Sequence, residues 1–140
     1  MNNQIYPCLW FDGQAKVAAD FYCSIFSNSK ITAQSPLVVK WELNGQPFMG
    51  LNGGPKYNFS PVNSYVIECE TQEEIDYYWS KLGEDGIYNQ CGWLDDKFGV
   101  SWQVVPTILG KLMADPERGE RVLKAFLQMK KFDIETLLNA

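Results

Sequence analysis

The stretch Ile5–Asn28, IYPCLWFDGQAKVAADFYCSIFSN, holds the unit from which the fold is read. Its first part, Ile5–Phe11, is short and apolar and predicts a strand; Asp12-Gly13 breaks it. From Ala15 to Phe26 the apolar residues Ala15, Val17, Ala18, Phe21, Tyr22, Ile25 and Phe26 recur at helical spacing and leave one greasy face. Asn28-Ser29 ends that helix. A strand followed by an amphipathic helix must next find a sheet to cover.

Working outward, Lys30–Ala33 is a short strand and Leu37–Leu43 a longer one, rich in β-formers. Asn44-Gly45 then separates Leu37–Leu43 from Pro47–Leu51. Asn-Gly between two β-type runs signals a tight hairpin, because both residues tolerate positive φ. Asn52-Gly53-Gly54-Pro55 closes this half. The same order then returns: a strand at Asn63–Cys69, and a helix to about Leu82 with Thr71 as N-cap and Glu74 completing a capping box. Short strands follow around Ile87–Asn89 and Gly92–Leu94, then a turn at Asp95–Gly99 and a strand at Val100–Val105 stopped by Pro106. The pattern is β-α-β-β-β twice, at a spacing of roughly sixty residues. A C-terminal helix is expected over Pro116–Met129, with Pro116 in its first turn, and a last short helix capped by Asp133. The expected fold is therefore α+β: two βαβββ modules (1–56 and 62–106) in one domain spanning 1–140. Their mixed sheets line a trough with the helices outside, and 107–140 forms a helical extension.

Composition narrows the function classes. The 140 residues are 46% hydrophobic and 21% charged, which fits a folded globular chain. The net charge of -5 leaves no electrostatic footprint for nucleic acid. No apolar run approaches about 18 residues, and the N-terminal residues show no signal-peptide pattern, so a cytoplasmic protein without membrane association is expected. Cys8, Cys23, Cys69 and Cys91 form no CxxC pair and read as four reduced thiols, Cys8 and Cys69 in the core. Five Trp, seven Tyr and eight Phe exceed the needs of a small core, so some should line a pocket or an interface. There is no histidine, which removes every mechanism that needs one.

Several strings carry a resemblance: Cys8–Ala15 leading to Phe21-Tyr22, Leu43–Met49, Leu51–Pro55, Cys91–Leu94 and Asp96–Pro106. With the doubled module, they resemble the vicinal-oxygen-chelate superfamily of glyoxalases, bleomycin-resistance proteins and extradiol dioxygenases. Within it they resemble the PhnB-like subfamily, often labelled 3-demethylubiquinone-9 3-methyltransferase. The label itself does not fit the residues. A class I methyltransferase needs a glycine-rich loop opening a helix, whereas Asn52-Gly53-Gly54-Pro55 is followed by loop.

The resemblance implies metal ligands on the first and last strands of each module. Those positions fall near Ile5 and Met49 in the first, and at Asn63 or Ser64 with Gln103 in the second. Apolar side chains and two neutral oxygens are a poor set for a divalent cation, so no metal and no cofactor is expected. Glu68 adds one carboxylate if its strand takes the other register. The expected pocket candidates are Trp41, Asn63, Glu68, Cys91, Trp93, Ser101 and Gln103, with Trp102 on the helix side opposite Gln103. Cys91 lacks a base to activate it and reads as a structural thiol. Asp95 and Asp96 read as a solvated turn, with Asp96 bonding turn amides. The leading expectation is a homodimer that binds an unknown small aromatic or apolar molecule. The alternatives are a metal-independent lyase, isomerase or transferase working through Glu68 or Gln103, and an interaction dimer with a closed trough.

Overall fold

The computed structural model describes Met1–Ala140 and divides into two compact units, Met1–Phe59 and Ser60–Ala140. The first contains β1 (Cys8–Phe11), α1 (Ala15–Ile25), β2 (Ser29–Gln34), β3 (Val38–Leu43) and β4 (Gln46–Asn52). The second contains β5 (Tyr65–Cys69), α2 (Gln72–Gly83), β6 (Ile87–Tyr88), β7 (Trp93–Asp95) and β8 (Ser101–Pro106), followed by α3 (Leu109–Met113), α4 (Gly119–Phe126) and α5 (Ile134–Leu138). The sheets have matching orders, β1-β4-β3-β2 and β5-β8-β7-β6. In each, the first and last strands pair in parallel and the remaining pairs are antiparallel. A helix of three turns carries the chain from each first strand across one face of its sheet, as a parallel pairing requires. No helix is long and apolar enough to cross a membrane.

Strand alternation decides the two faces of each sheet. In the first unit Leu9, Phe11, Val39, Trp41, Leu43 and Phe48 are buried under Ala15, Ala18, Ala19, Tyr22 and Ile25 of α1. The Trp41 ring lies stacked between Tyr22 and Phe48, with centroids 6.1 and 5.9 Å away. In the second, Cys69, Leu94, Trp102 and Val104 are buried on the face carrying Ile75, Trp79 and Leu82 of α2, where Trp79 stacks on Tyr88 at 4.8 Å.

The connections use different devices. Asn44 and Gly45 both have positive φ (49° and 83°), which lets two residues join β3 to β4. The Asp96 turn is built around a carboxylate that is 3% exposed, so it is a buried hub rather than a solvated turn. Its oxygens accept from the Phe98 and Val100 amides (2.9 and 3.0 Å) and from Trp102 Nε1 (3.0 Å), and the burial follows from these three donors. At α2, the Thr71 hydroxyl accepts from the Glu74 amide at 3.2 Å; the Glu74 carboxylate reaches past Thr71 to the Glu70 amide, 3.3 Å away.

The C-terminal segment holds the two expected helices, the first of them shorter than Pro116–Met129, and one more before them. The Asp115 carboxylate accepts from the Glu117 and Arg118 amides, forming a turn around Pro116, and α4 starts only at Gly119. The short α3 had no legible signal, because five residues leave too little periodicity to read. Asp133 caps α5 through the Thr136 amide at 2.9 Å, as its position predicts.

Candidate functional site

The helix-free face of the second sheet brings together several chemistry-bearing side chains. Register pairs Val66 with Gln103 and Gln103 with Trp93, so these three lie side by side across β5, β8 and β7. Glu68 pairs with Val105 on the same face and is exposed. Asp95 pairs with Ser101, whose hydroxyl donates to the Asp95 carboxylate at 2.7 Å. Gln103 Nε2 donates to the Ser64 hydroxyl at 2.9 Å, which holds the amide at the strand edge. The result is a face of Val66, Val105 and Trp93 around the Gln103 amide, with the Ser64 hydroxyl beside it, the Ser101–Asp95 pair at one end and the exposed Glu68 carboxylate at the other.

Of the residues expected near a pocket, Glu68, Trp93, Ser101 and Gln103 share this face, although Ser101 is 1% exposed and engaged with Asp95. Ser64, rather than the exposed Asn63, partners Gln103. Trp102 faces α2, as alternation requires. Trp41 does not belong to an open face: it is 0% exposed beneath α1, because Val39, Trp41 and Leu43 form the buried alternation of β3. Cys91 sits before β7, where its thiol donates to the Phe126 carbonyl at 3.7 Å.

In the first unit the corresponding face carries Cys8 opposite Met49 and Trp10 opposite Leu51. Lys40, opposite Met49, reaches over the Tyr6 ring at 5.8 Å from its centroid. Ile5 is 91% exposed and lies before β1, outside the strand expected to carry it. Cys8 is exposed rather than core, while Cys69 is fully buried and its thiol is pushed up to about 11 by burial and then by Glu74. All four cysteines are free.

The family resemblance implies metal ligands on the first and last strands of each module, and the residues present do not supply them. No group of three or more His, Cys, Asp or Glu is placed to hold a metal ion. On the second face the Ser64–Gln103 pair is neutral, Asp95 is bonded to Ser101 and Glu68 adds a single carboxylate, and on the first the Lys40 ammonium lies beside Met49. Neither fits a divalent cation, which asks for several imidazole or carboxylate ligands. The glycine-rich segment fares no better as a cofactor cradle. The Gly53 and Gly54 amides both donate to the Phe11 carbonyl (3.0 and 3.4 Å), and the Gly54 carbonyl accepts from Trp10 Nε1 at 2.8 Å. Amides already turned inward cannot cradle a ligand's anionic group.

The comparisons agree with this architecture. The model of the 3-demethylubiquinone-9 3-methyltransferase family matches residues 3–105. A PhnB protein from Bacillus cereus is 34% identical, with a TM-score of 0.68, over 75% of this chain and 100% of that one. The fosfomycin resistance protein FosX from Listeria monocytogenes, solved with Mn(II) and sulfate, is similar in fold at 14% identity and a TM-score of 0.59, over 80% of this chain and 96% of that one. A glyoxalase/bleomycin resistance protein from Albidiferax ferrireducens T118 is similar at 10% identity and a TM-score of 0.54, over 72% and 95%. No curated protein matches. The doubled βαβββ topology and the match over residues 3–105 lead to one conclusion: the chain belongs to the PhnB-like 3-demethylubiquinone-9 3-methyltransferase family, on the fold of the glyoxalase/bleomycin-resistance proteins.

Proposed function

We propose that the protein binds a small planar, largely apolar molecule on the open face of its second sheet, without a metal ion. The observation that carries this reading is the grouping of Val66, Gln103 and Trp93 in adjacent strand positions, with Gln103 held by Ser64. An apolar surface with a few fixed polar groups is the usual composition of a small-molecule site. Trp93 supplies a flat wall, Gln103 and Ser64 supply orientation, and Glu68 favours a ligand that donates hydrogen bonds.

The test is a ligand-observed NMR screen of planar aromatic fragments, repeated on Trp93→Ala and Gln103→Leu. Hits that weaken about tenfold or more in both variants, a loss of about 1.4 kcal/mol, support the reading. No hit at millimolar fragment, or hits indifferent to both variants, would sink it. A second reading has one specific observation in its favour. Glu68 shares the face with Gln103, as an acid–base residue of a metal-independent lyase, isomerase or transferase would have to. Turnover of any bound compound that disappears in Glu68→Gln would favour it.

A further inference from the structure

The segment 107–140 lies beyond the family match, which ends at residue 105, and it meets one short turn of the second sheet. Between β6 and β7 the Trp93 amide donates to the Gln90 carbonyl, and the Asn89 amide to the Trp93 carbonyl. The two central residues, Cys91 and Gly92, have φ of 59° and 80°. Glycine adopts this left-handed region freely, but cysteine does so rarely. Both central amides point out of the turn and donate to the extension: Cys91 to the Met129 carbonyl and Gly92 to the Lys130 carbonyl, each at 2.8 Å. The Phe132 ring, 1% exposed, packs so closely on Gly92 that a Cβ there would lie 2.5 Å from it. The extension is in turn tied to α2. Gln72 donates to the Phe132 carbonyl at 2.9 Å and accepts from the Ile134 amide at 2.8 Å, and Lys131 pairs with Asp76 at 2.9 Å.

We propose that the C-terminal extension is a positioning element: it holds the Gln90–Trp93 turn in its left-handed form and thereby sets Trp93 on the ligand face. Gly92 suits that backbone and its carbonyl accepts from the Val104 amide of β8 at 2.8 Å, but Cys91 has no side-chain device within the turn to favour it. Two carbonyls and an aromatic ring from the extension supply what the local sequence lacks. Trp93 is the next residue along, so a turn that relaxes to ordinary φ values swings its ring relative to Gln103. The consequence for binding rests on the function proposed above, whereas the structural coupling stands without it.

Native-state hydrogen exchange on the full-length protein, at rising sub-denaturing urea, tests the coupling directly. The Cys91 and Gly92 amides should exchange along one isotherm with the Ile134 amide, at lower opening free energy than the β5–β8 ladder. If they open with the ladder instead, the proposal is overturned. In Gln72→Ala, exchange at Cys91 and Gly92 should rise by about an order of magnitude while the ladder amides keep their protection. The ¹⁹F resonance of Trp93 in 5-fluorotryptophan-labelled protein, assigned with Trp93→Phe, should shift. Phe132→Ala serves as a second variant if Ile134 stays protected in the first. An unmoved Trp93 resonance in a variant whose extension has loosened overturns the proposal. Fragment affinity should fall in the same variants. If the wild type binds no fragment, the function proposed above fails while the exchange data still decide this one.

Discussion

The two modules share a strand order and a helix placement but differ at almost every point where a local device is needed. The first helix has no cap from its own sequence: Gln14 makes no side-chain bond, and the Ala15 amide is satisfied by Asn52 Oδ1, 2.9 Å away at the end of β4. The second helix is capped by its neighbour in sequence, Thr71. The first module turns between its last two strands with two residues of positive φ, and the second with a buried carboxylate. Their open faces differ as well, one carrying Lys40, Tyr6 and Met49, the other Glu68, Gln103 and Trp93. Topology is thus set by which face of each strand is apolar, while caps and turns are interchangeable provided each buried polar group finds a partner.

This comparison can be broken most forcefully at its tryptophans. Trp41→Ala removes a fully buried ring from beneath α1 and should cost about 3–5 kcal/mol in urea unfolding, whereas Trp93→Ala on the open face should cost about 1 kcal/mol or less. Similar losses would mean that the second module's open face is a core. Next, Asp96→Ala should cost about 2–3 kcal/mol, because it orphans two turn amides and the Trp102 indole. Gly45→Ala is no equivalent control, since it perturbs backbone strain instead. Smallest is the capping contrast. Thr71→Ala and Asn52→Ala should each cost about 1 kcal/mol by thermal unfolding, the usual value of a helix cap. Asn52 also donates to the Pro36 carbonyl at 3.0 Å, so its loss should be the larger of the two. If Asn52→Ala proved harmless, the remote cap would be decorative, and α1 would be held by packing alone.

Much of the architecture was legible because it rests on period and punctuation. The greasy stripe from Ala15 to Ile25, the Asn44-Gly45 hairpin and the Thr71 cap are local signals, and each appears where the residues call for it. Gln103 and Trp102 fell on opposite faces for the same reason, since alternation leaves no choice within a strand. The errors share a different cause. Trp41 was expected on the open face because a tryptophan is an equally good wall or core residue, and only the pairing Trp41↔Phe48 beneath Tyr22 tells them apart. Ile5 was expected to open the first strand, which begins only at Cys8. The role of Cys91 was invisible because its partners, Met129 and Phe126, are more than thirty residues away.

The sequence alone determined the repeated βαβββ order and the family, because these depend on residue identity and spacing. Tertiary structure decided the rest: which tryptophan is core and which is surface, that Ser64 partners Gln103, that Asn52 caps α1, and that the extension grips the turn before Trp93. The physical reason is common to all four. Each is a satisfied polar group or a filled volume whose partner is distant along the chain, and such pairings come into being only when the packed sheets and helices bring the two ends together.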